Sequence, residues 1–271
     1  MVRTIANLIL PVIVSMIGST GAARAVDLVP YADLILVSGQ RPFCHGIMID
    51  RTLFTAAHCL KKGPAQMSIL YLSQGAIKRV DLAAAAFQFP SRRSGSGSEL
   101  DLGAVRIEQD LALDADGILS LSEHPIVTHL GHAENAYLEQ RSGPFTDQQG
   151  PPFTRRRVLG LTYRGKMETR LKFVLRVPSG LPRDVVLDDD GHLVRAPADS
   201  LPVPEDESVC QGDSGSAVFA EINGTKNLIG FASAGEDDFR TGNRFCGNTL
   251  WITRLDRDGI AWIRERLGNP S

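Results

Sequence analysis

The stretch Cys210-Gln211-Gly212-Asp213-Ser214-Gly215-Ser216 places one hydroxyl group on a turn flanked by glycines. Glycine permits main-chain conformations and close approaches that other residues exclude, so a substrate carbonyl can come near the main chain of such a turn. Ser214 is therefore a candidate nucleophile. Because a serine alcohol reacts poorly at neutral pH, the chain must also supply a general base and a group that orients the base.

Two upstream segments carry residues of these kinds: Thr55-Ala56-Ala57-His58-Cys59 and Leu100-Asp101-Leu102-Gly103-Ala104-Val105. Each motif alone has an ordinary explanation, as a turn, a buried core histidine or a cap before a strand. Together, His58, Asp101 and Ser214 follow the order base, orienting group, nucleophile, at separations of about 43 and about 113 residues. This order suits a site built from an early and a late part of one chain.

Composition excludes several classes of protein. Of the 271 residues, 43% are hydrophobic and 22% are charged, which is typical of a globular protein with a full core. The net charge of -2 and the pI near 6.3 do not provide the basic surface that nucleic acid or an anionic membrane would attract. Neither partner is predicted.

Residues 1–25 have the pattern of a secretory signal peptide. Arg3 gives a positive start, residues 5–17 form a short apolar core, and Ala23-Arg24-Ala25 is a small-x-small cleavage site. The alternative, a membrane anchor, needs about 20 apolar residues, whereas this run is shorter and is interrupted by Asn7 and Pro11. We expect a secreted protein, either extracellular or periplasmic.

The cysteines are interpreted through this expected compartment. An oxidising environment favours two disulfides over a reduced metal site, and four cysteines allow three pairings. Spacing alone does not choose among the pairings, and no C-x-x-C pair is present. The four residues are Cys44, Cys59, Cys210 and Cys246.

No metal or organic cofactor is predicted. His124, His129 and His132 are close in sequence, but they lack the spacing of the H-E-x-x-H pair of zinc proteases. We interpret them as loop histidines rather than as ligands.

Most of the chain reads as short strands bounded by turn residues, which favours an all-β sandwich or barrel. Asn223-Gly224 predicts a hairpin turn. Residues 256–267 predict a helix, because Ile260, Ile263 and Leu267 recur at helical spacing. The expected strands are 32–37, 46–49, 53–56, 68–71, 78–82, 102–107, 158–163, 171–177, 216–222, 227–233 and 249–253.

Two segments give no strand pattern. Residues 178–207 are rich in proline and aspartate and predict a long surface loop that leads to Ser214. Residues 114–152 contain several glycines and prolines and suggest a crossing between two subdomains.

With these motifs in order, the chain resembles the trypsin-like (chymotrypsin-fold) serine proteases over nearly all of its length after residue 25. The resemblance implies two packed six-stranded antiparallel β-barrels with a C-terminal α-helix. It places a protease domain at 26–271, with a first barrel at about 26–130, a second at about 150–255 and the helix at 256–267.

The resemblance also implies roles for individual residues. His58, Asp101 and Ser214 would be the catalytic triad of an endopeptidase that forms an acyl-enzyme, with the main-chain N–H groups of Gly212 and Ser214 as oxyanion hole. Ser233 would donate a hydrogen bond to the catalytic aspartate. The disulfides would be Cys44–Cys59 and Cys210–Cys246, and the protein would act on peptides as a monomer. The substrate-binding residues would be Ser208, Val209, Ser233, Ala234 and Gly235.

Two departures from the family matter. Relatives that cut after Arg or Lys have an aspartate at the position of Ser208, so this chain is expected to prefer an apolar or small residue. Glu207, the acidic run 236–238 and Leu250 leave other preferences open. Second, no Ile-Val-Gly-Gly start is present to pair with Asp213. Either Asp213 has another partner, as in bacterial relatives that need no such activation, or the enzyme is activated by a different mechanism.

Two other functions compete with a protease. A catalytically silent secreted binding protein could use the same scaffold, since folds outlast their chemistry. Its usual mark is loss of a triad member, and all three are present. An esterase of another fold would place a Gly-x-Ser-x-Gly motif before its histidine, whereas here His58 comes first.

Overall fold

The computed structural model describes residues 28–91, 100–121, 136–140, 157–167, 170–175, 209–222, 224–236, 246–247 and 249–268. The predicted signal peptide, the loop 178–207 and Ser208 lie outside these ranges, as do His124, His129 and His132. Within the described ranges, no helix has the length and apolar character that crossing a membrane requires.

Among the described residues, the first half of the chain contributes eight strands and one short helix. The helix, α1, spans Ala57–Lys61, and a 3-10 turn spans Ala84–Ala86. The strands are β1 (Leu28–Ser38), β2 (Arg41–Ile49), β3 (Thr52–Thr55), β4 (Met67–Ser73), β5 (Ala76–Leu82), β6 (Phe87–Gln88), β7 (Gly103–Arg106) and β8 (Gly117–Ser120).

The described part of the second half contributes eight more strands and the C-terminal helix α2 (Arg257–Arg266). The strands are β9 (Ala136–Gln140), β10 (Arg157–Met167), β11 (Arg170–Leu175), β12 (Val209–Cys210), β13 (Ala217–Ile222), β14 (Thr225–Glu236), β15 (Cys246–Gly247) and β16 (Thr249–Arg254). The all-β class with a C-terminal helix is therefore confirmed.

Six strands of the second half close into an antiparallel barrel. Their hydrogen-bonded order is β13, β9, β10, β11, β16, β14, and β14 pairs back with β13. Closure leaves no unpaired strand edge. Its first described strand, β9, starts at Ala136 and so lies before the expected boundary near residue 150. Its buried core is formed by alternating apolar residues, among them Leu138, Leu159, Leu161, Leu171, Phe173, Ile229 and Ile252.

The strands of the first half form a curved sheet outside that closed barrel. The ladder runs β5, β4, β1, β2, β3, β7, β6, and its two end strands are joined through the 3-10 turn at Ala84–Ala86. The two end strands, β5 and β6, are therefore linked by the chain, and no hydrogen-bonded pairing between them closes this sheet in the described residues. Its core contains Leu34, Leu36, Met48, Leu53, Ile69 and Val105.

A partly buried ion pair lies where the two halves meet. Lys226 Nζ lies 2.8 Å from Glu139 Oε2 and donates to the Tyr31 hydroxyl at 2.9 Å. The rings of Tyr31 and Phe219 pack 5.3 Å apart between their centroids. These contacts connect β1 of the first half with β9, β13 and β14 of the second.

Helix α2 covers the junction of the two halves. Asp256 caps it by accepting from the main-chain N–H of Gly259 at 3.1 Å. Ile260 and Ile263 are buried and Leu267 is partly buried, as the helical spacing predicted. The helix shares its cluster with residues from both halves, including Tyr31, Phe54, Leu102 and Phe219.

The predicted hairpin between β13 and β14 is also confirmed. Ile222 of β13 pairs with Thr225 of β14, so the connection contains only residues 223 and 224. Gly224 has a φ of 73°, a left-handed conformation that glycine adopts without strain.

Candidate active site

His58 lies in α1, directly after β3 and next to a disulfide. Cys59 is bonded to Cys44 on β2, with the two Cα atoms 6.2 Å apart, which confirms the predicted Cys44–Cys59 pair. A five-residue helix is too short to be stable by itself. The disulfide ties α1 to β2 and thereby fixes the main chain that carries His58.

Asp101 lies just before β7 and contacts His58. Its main chain is held by buried neighbours, Leu100 and Leu102, and its carbonyl oxygen accepts from Thr253 Oγ1 at 2.9 Å. Its Oδ1 accepts from the main-chain N–H of His58 at 2.9 Å, and its Oδ2 lies 2.8 Å from His58 Nδ1. Ser233 also donates to Oδ2, which is the contact that the family resemblance implies for it.

These contacts determine the charge and the proton positions at the pair. Burial raises the pKa of the Asp101 carboxyl, but the hydrogen bonds and charge of His58 and the hydrogen bond from Ser233 outweigh it, so the pKa is lowered overall. The ionised carboxylate only accepts, so His58 Nδ1 carries its proton. In the neutral ring, Nε2 is then free of hydrogen and able to accept a proton.

The turn that carries Ser214 consists of two successive β-turns. Asp213 N donates to Cys210 O at 3.0 Å, and Ser216 N donates to Asp213 O at 3.1 Å. Gly215 has a φ of 84°, and a Cβ there would overlap His45 O and Thr55 Oγ1. Glycine at 215 is therefore required both by conformation and by space.

Main-chain hydrogen bonds tie this turn to the strand that contacts Asp101. Gly215 N donates to Ala232 O at 2.7 Å, and Ala232 N donates to Ser216 O at 2.8 Å. The next residue, Ser233, holds Asp101. Ser214 is half-buried beside this ladder.

In the part of the chain that the structure describes, no hydrogen bond joins the Ser214 hydroxyl to His58. The Nε2 atom of His58 instead lies 3.7 Å from Cys59 Sγ. In the structure, His58 and Ser233 each contact Asp101. Ser214 is connected to this set through main-chain hydrogen bonds of its turn with Ala232.

His45 on β2 is a residue of this region that the sequence did not indicate. Its main-chain N–H donates to Ser214 O at 2.8 Å, and its ring Nδ1 lies 2.9 Å from Gly212 O. A histidine inside a strand carries no local signal for contacts that span more than 160 residues. Only the tertiary fold reveals it.

Asp213 is buried and hydrogen-bonded. Its Oδ2 accepts from Cys210 N at 2.7 Å, and its Oδ1 accepts from the Gln140 side-chain amide at 3.0 Å. The same amide nitrogen donates to Ser216 Oγ. Asp213 thus has partners from its own turn and from β9, a residue role that the sequence left open.

Of the expected substrate-binding residues, Val209 lies on β12 and Ser233, Ala234 and Gly235 lie on β14, while Ser208 is outside the described residues. Val209 is buried with Leu250, while Ala234 is half-buried and Gly235 is exposed. A Cβ built on Gly235 would lie 3.5 Å from Val209 Cγ1, so the two strands are close at this point. Val209 and Leu250 belong to one apolar cluster, and this pair is called the apolar wall below.

Cys210 is itself part of a disulfide. Its Cα is the register partner of the Cα of Cys246 in the two-stranded sheet of β12 and β15. This register fits the second pairing that the resemblance implies.

One group of potential metal ligands occurs among the described residues. The ligand atoms of Cys44, His58 and Cys59 lie within 4.8 Å of one another. Metal binding by cysteine needs a thiolate, and here both sulfurs are consumed by their mutual bond. The group therefore does not suit a metal ion.

Comparisons with known proteins identify the fold of the chain through solved structures. No protein-family model and no curated protein sequence matches the chain. Among solved structures, it is similar to neuropsin, a serine protease expressed in the limbic system of mouse brain, with a TM-score of 0.50 and 18% identity over 87% of this chain and 93% of that one. It is also similar to kallikrein-related peptidase 10, with a TM-score of 0.52 and 14% identity over 88% and 95% of the two chains.

Proposed function

We propose that this chain, which has the fold of the trypsin-like serine proteases, is a secreted serine endopeptidase that uses Ser214, His58 and Asp101. The observation that carries the proposal is the partly buried, hydrogen-bonded set of His58, Asp101 and Ser233. This set sits one residue along β14 from the ladder that holds the Ser214 turn.

The proposed reaction follows from these positions. Ser214 Oγ attacks the scissile carbonyl carbon while His58 Nε2 takes the hydroxyl proton, and the carbonyl oxygen becomes an oxyanion. His58 then gives that proton to the leaving amine as the C–N bond breaks, which leaves an acyl-enzyme. A water molecule repeats the two steps in the second half and releases the acid. Asp101 keeps the proton of His58 on Nδ1 throughout and stabilises the charged ring.

The main-chain N–H groups of Gly212 and Ser214 would bind the oxyanion. Donors of this kind contribute several kcal/mol because they are already oriented before charge develops. Gly212 has a φ of 101°, which an L residue rarely adopts, so its identity supports a turn built for this purpose.

We propose a preference for an apolar or small side chain before the cleaved bond. Val209 and Leu250 are buried in one apolar cluster beside Gly235. A cationic side chain entering such a wall would lose its hydration without gaining a charged partner. Ser208 offers a hydroxyl and not a carboxylate at the position that selects Arg or Lys in relatives.

Secretion is part of the proposal and is supported by the Cys44–Cys59 disulfide, since disulfides persist in oxidising compartments. The alternative function is a catalytically silent secreted binding protein on the same scaffold. The lowered pKa of Asp101 argues for the protease, because a carboxylate kept ionised next to a histidine is what a general base requires.

A substrate library tests the proposal. The chain from Val26 onward is expressed in an oxidising host and assayed on peptides that vary in the residue before the cleaved bond, beside the variant Ser214→Ala. We expect cleavage by the wild type alone, with apolar or small residues preferred. Equal activity of both proteins would assign the cleavage to a contaminant, and silence of a folded wild type would favour the binding protein.

A further inference from the structure

His45 contacts the Ser214 turn through both its main chain and its side chain. Its ring is buried, with 3% of the residue exposed, and Nδ1 is 2.9 Å from the carbonyl oxygen of Gly212. A carbonyl can only accept, so Nδ1 must carry a proton and donate it. The reaction proposed above leaves this imidazole without a role.

With the contacts of His45, two peptide groups of the Ser214 turn have both their C=O and their N–H groups hydrogen-bonded. In the peptide between Gly212 and Asp213, the C=O is held by His45 Nδ1 and the N–H by Cys210 O at 3.0 Å. In the peptide between Ser214 and Gly215, the C=O is held by His45 N at 2.8 Å and the N–H by Ala232 O at 2.7 Å. Each plane can rotate only by breaking two buried hydrogen bonds.

The proposed oxyanion donors belong to the peptides that adjoin these fixed planes. The N–H of Gly212 precedes the first fixed plane, and the N–H of Ser214 lies between the two. Glycine at 212 has no side chain to limit rotation, so its N–H direction depends on hydrogen bonds made by its neighbours. A donor that is misdirected by even a small rotation loses its contact with the developing charge.

We propose that His45 is a positioning residue for the oxyanion hole. Its Nδ1–H holds the carbonyl of Gly212, so that the N–H groups of Gly212 and Ser214 point at one substrate oxygen. The inference rests on the proposed function, which it deepens. It needs no direct contact between His45 and the substrate.

Strand β2 then contributes to positioning both the general base and the oxyanion hole. Successive side chains on a strand point to opposite faces. Cys44 is bonded to Cys59, the neighbour of the general base His58, whereas His45 holds Gly212 on the side of the oxyanion. Adjacent residues of one strand therefore set the spacing between base and oxyanion hole.

Two variants separate a positioning role from a merely structural one. His45→Leu keeps a buried side chain of similar size but removes the donor. His45→Asn keeps a donor, since its Nδ2 is as many bonds from Cβ as Nδ1 of histidine. We expect His45→Leu to lower kcat roughly tenfold to a hundredfold with KM changed by less than about twofold, and His45→Asn to recover most of kcat. Wild-type kcat in His45→Leu, or no recovery in His45→Asn, would overturn the inference.

A second readout does not depend on activity. The amide resonances of Gly212 and Ser214 are recorded by NMR in the wild type and both variants. We expect them to shift in His45→Leu and to return in His45→Asn, and unmoved resonances in His45→Leu would also overturn the inference. If the wild type hydrolyses nothing, the proposed protease function fails, while the resonances still decide whether His45 positions the turn.

Discussion

The side-chain amide of Gln140 donates to Oδ1 of Asp213 across 3.0 Å and joins residues that are 73 positions apart. Both residues are buried, with 1% of each exposed. In many relatives a freed N-terminus pairs with the aspartate at this position. Here an internal amide on β9 contacts it, and we predict that the Ser214 turn forms without N-terminal processing.

Gln140→Leu is predicted to disturb this turn. The substitution takes a donor from the buried carboxylate of Asp213 and from Ser216, at a cost of about 1–3 kcal/mol in the free energy of unfolding. We expect kcat/KM on the best library peptide to fall by about tenfold or more. The matched control is Gln109→Leu, which changes an exposed glutamine.

A shortened chain completes that test. A protein that lacks Val26 to Leu28 should keep its kcat/KM, because Gln140 and the main chain of Cys210 contact Asp213 from within the fold. Loss of activity in a folded, shortened chain, with activity retained in Gln140→Leu, would instead assign the role to the N-terminus.

The pH dependence of stability should carry the signature of Asp101. Its pKa is lowered in the folded protein, so its contribution is present above the unfolded value of about 3.9 and is lost as the pH falls through the folded value. We therefore expect the free energy of unfolding of the wild type to decrease below about pH 4 more steeply than that of Asp101→Asn. Urea unfolding between about pH 2 and pH 6 measures both slopes.

Asp110→Asn is the control for that comparison, because its side chain is 84% exposed. It should follow the wild type. Parallel curves for the wild type and Asp101→Asn would show that His58 and Ser233 do not stabilise the carboxylate.

Much of the fold could be predicted because local pattern and tertiary structure agree. Short apolar runs bounded by turn residues predicted the strands around Leu34, Leu171 and Ile252, and Asn223-Gly224 predicted a hairpin. Strand β9 was missed for a physical reason. Its residues Glu139 and Gln140 are polar but buried, since Lys226 pairs with the first and Asp213 accepts from the second. No local pattern encodes such distant partners.

The residues of the candidate site also fall into two groups, those that the sequence could predict and those that it could not. The residues that carry chemistry stand in short motifs, so His58, Asp101 and Ser214 could be selected from the sequence. The residues that hold them in place, His45 and Gln140, act through contacts 167 and 73 residues away in the chain. Their side chains have no motif, and only folding brings them to the turn.

Val209 is predicted to restrict the side chain before the cleaved bond. Val209→Ala should raise kcat/KM for Phe relative to Ala at that position by about tenfold, since it removes two methyl groups and one carbon group in an apolar pocket is worth about 1–3 kcal/mol. The control is Val218→Ala, which removes the same volume from the same apolar cluster but on β13. Equal ratios in both variants would place the pocket elsewhere.

The second disulfide is predicted to join Cys210 and Cys246. Cys210 is disulfide-bonded, and its Cα faces that of Cys246 in the register of β12 and β15. A peptide map under non-reducing conditions should yield one linked pair of peptides containing these two residues and another containing Cys44 and Cys59. Any crossed pair would contradict the prediction.

Covalent labelling by a fluorophosphonate tests the central claim most directly, because it requires an activated serine but no knowledge of the natural substrate. We expect mass spectrometry to find one adduct on Ser214 in the wild type and in Ser73→Ala, a half-buried serine of β4 that serves as control. Ser214→Ala should remain unlabelled, and His58→Ala should be labelled at least about a hundredfold more slowly. A folded wild type that stays unlabelled, or an adduct that persists in Ser214→Ala, would contradict the account.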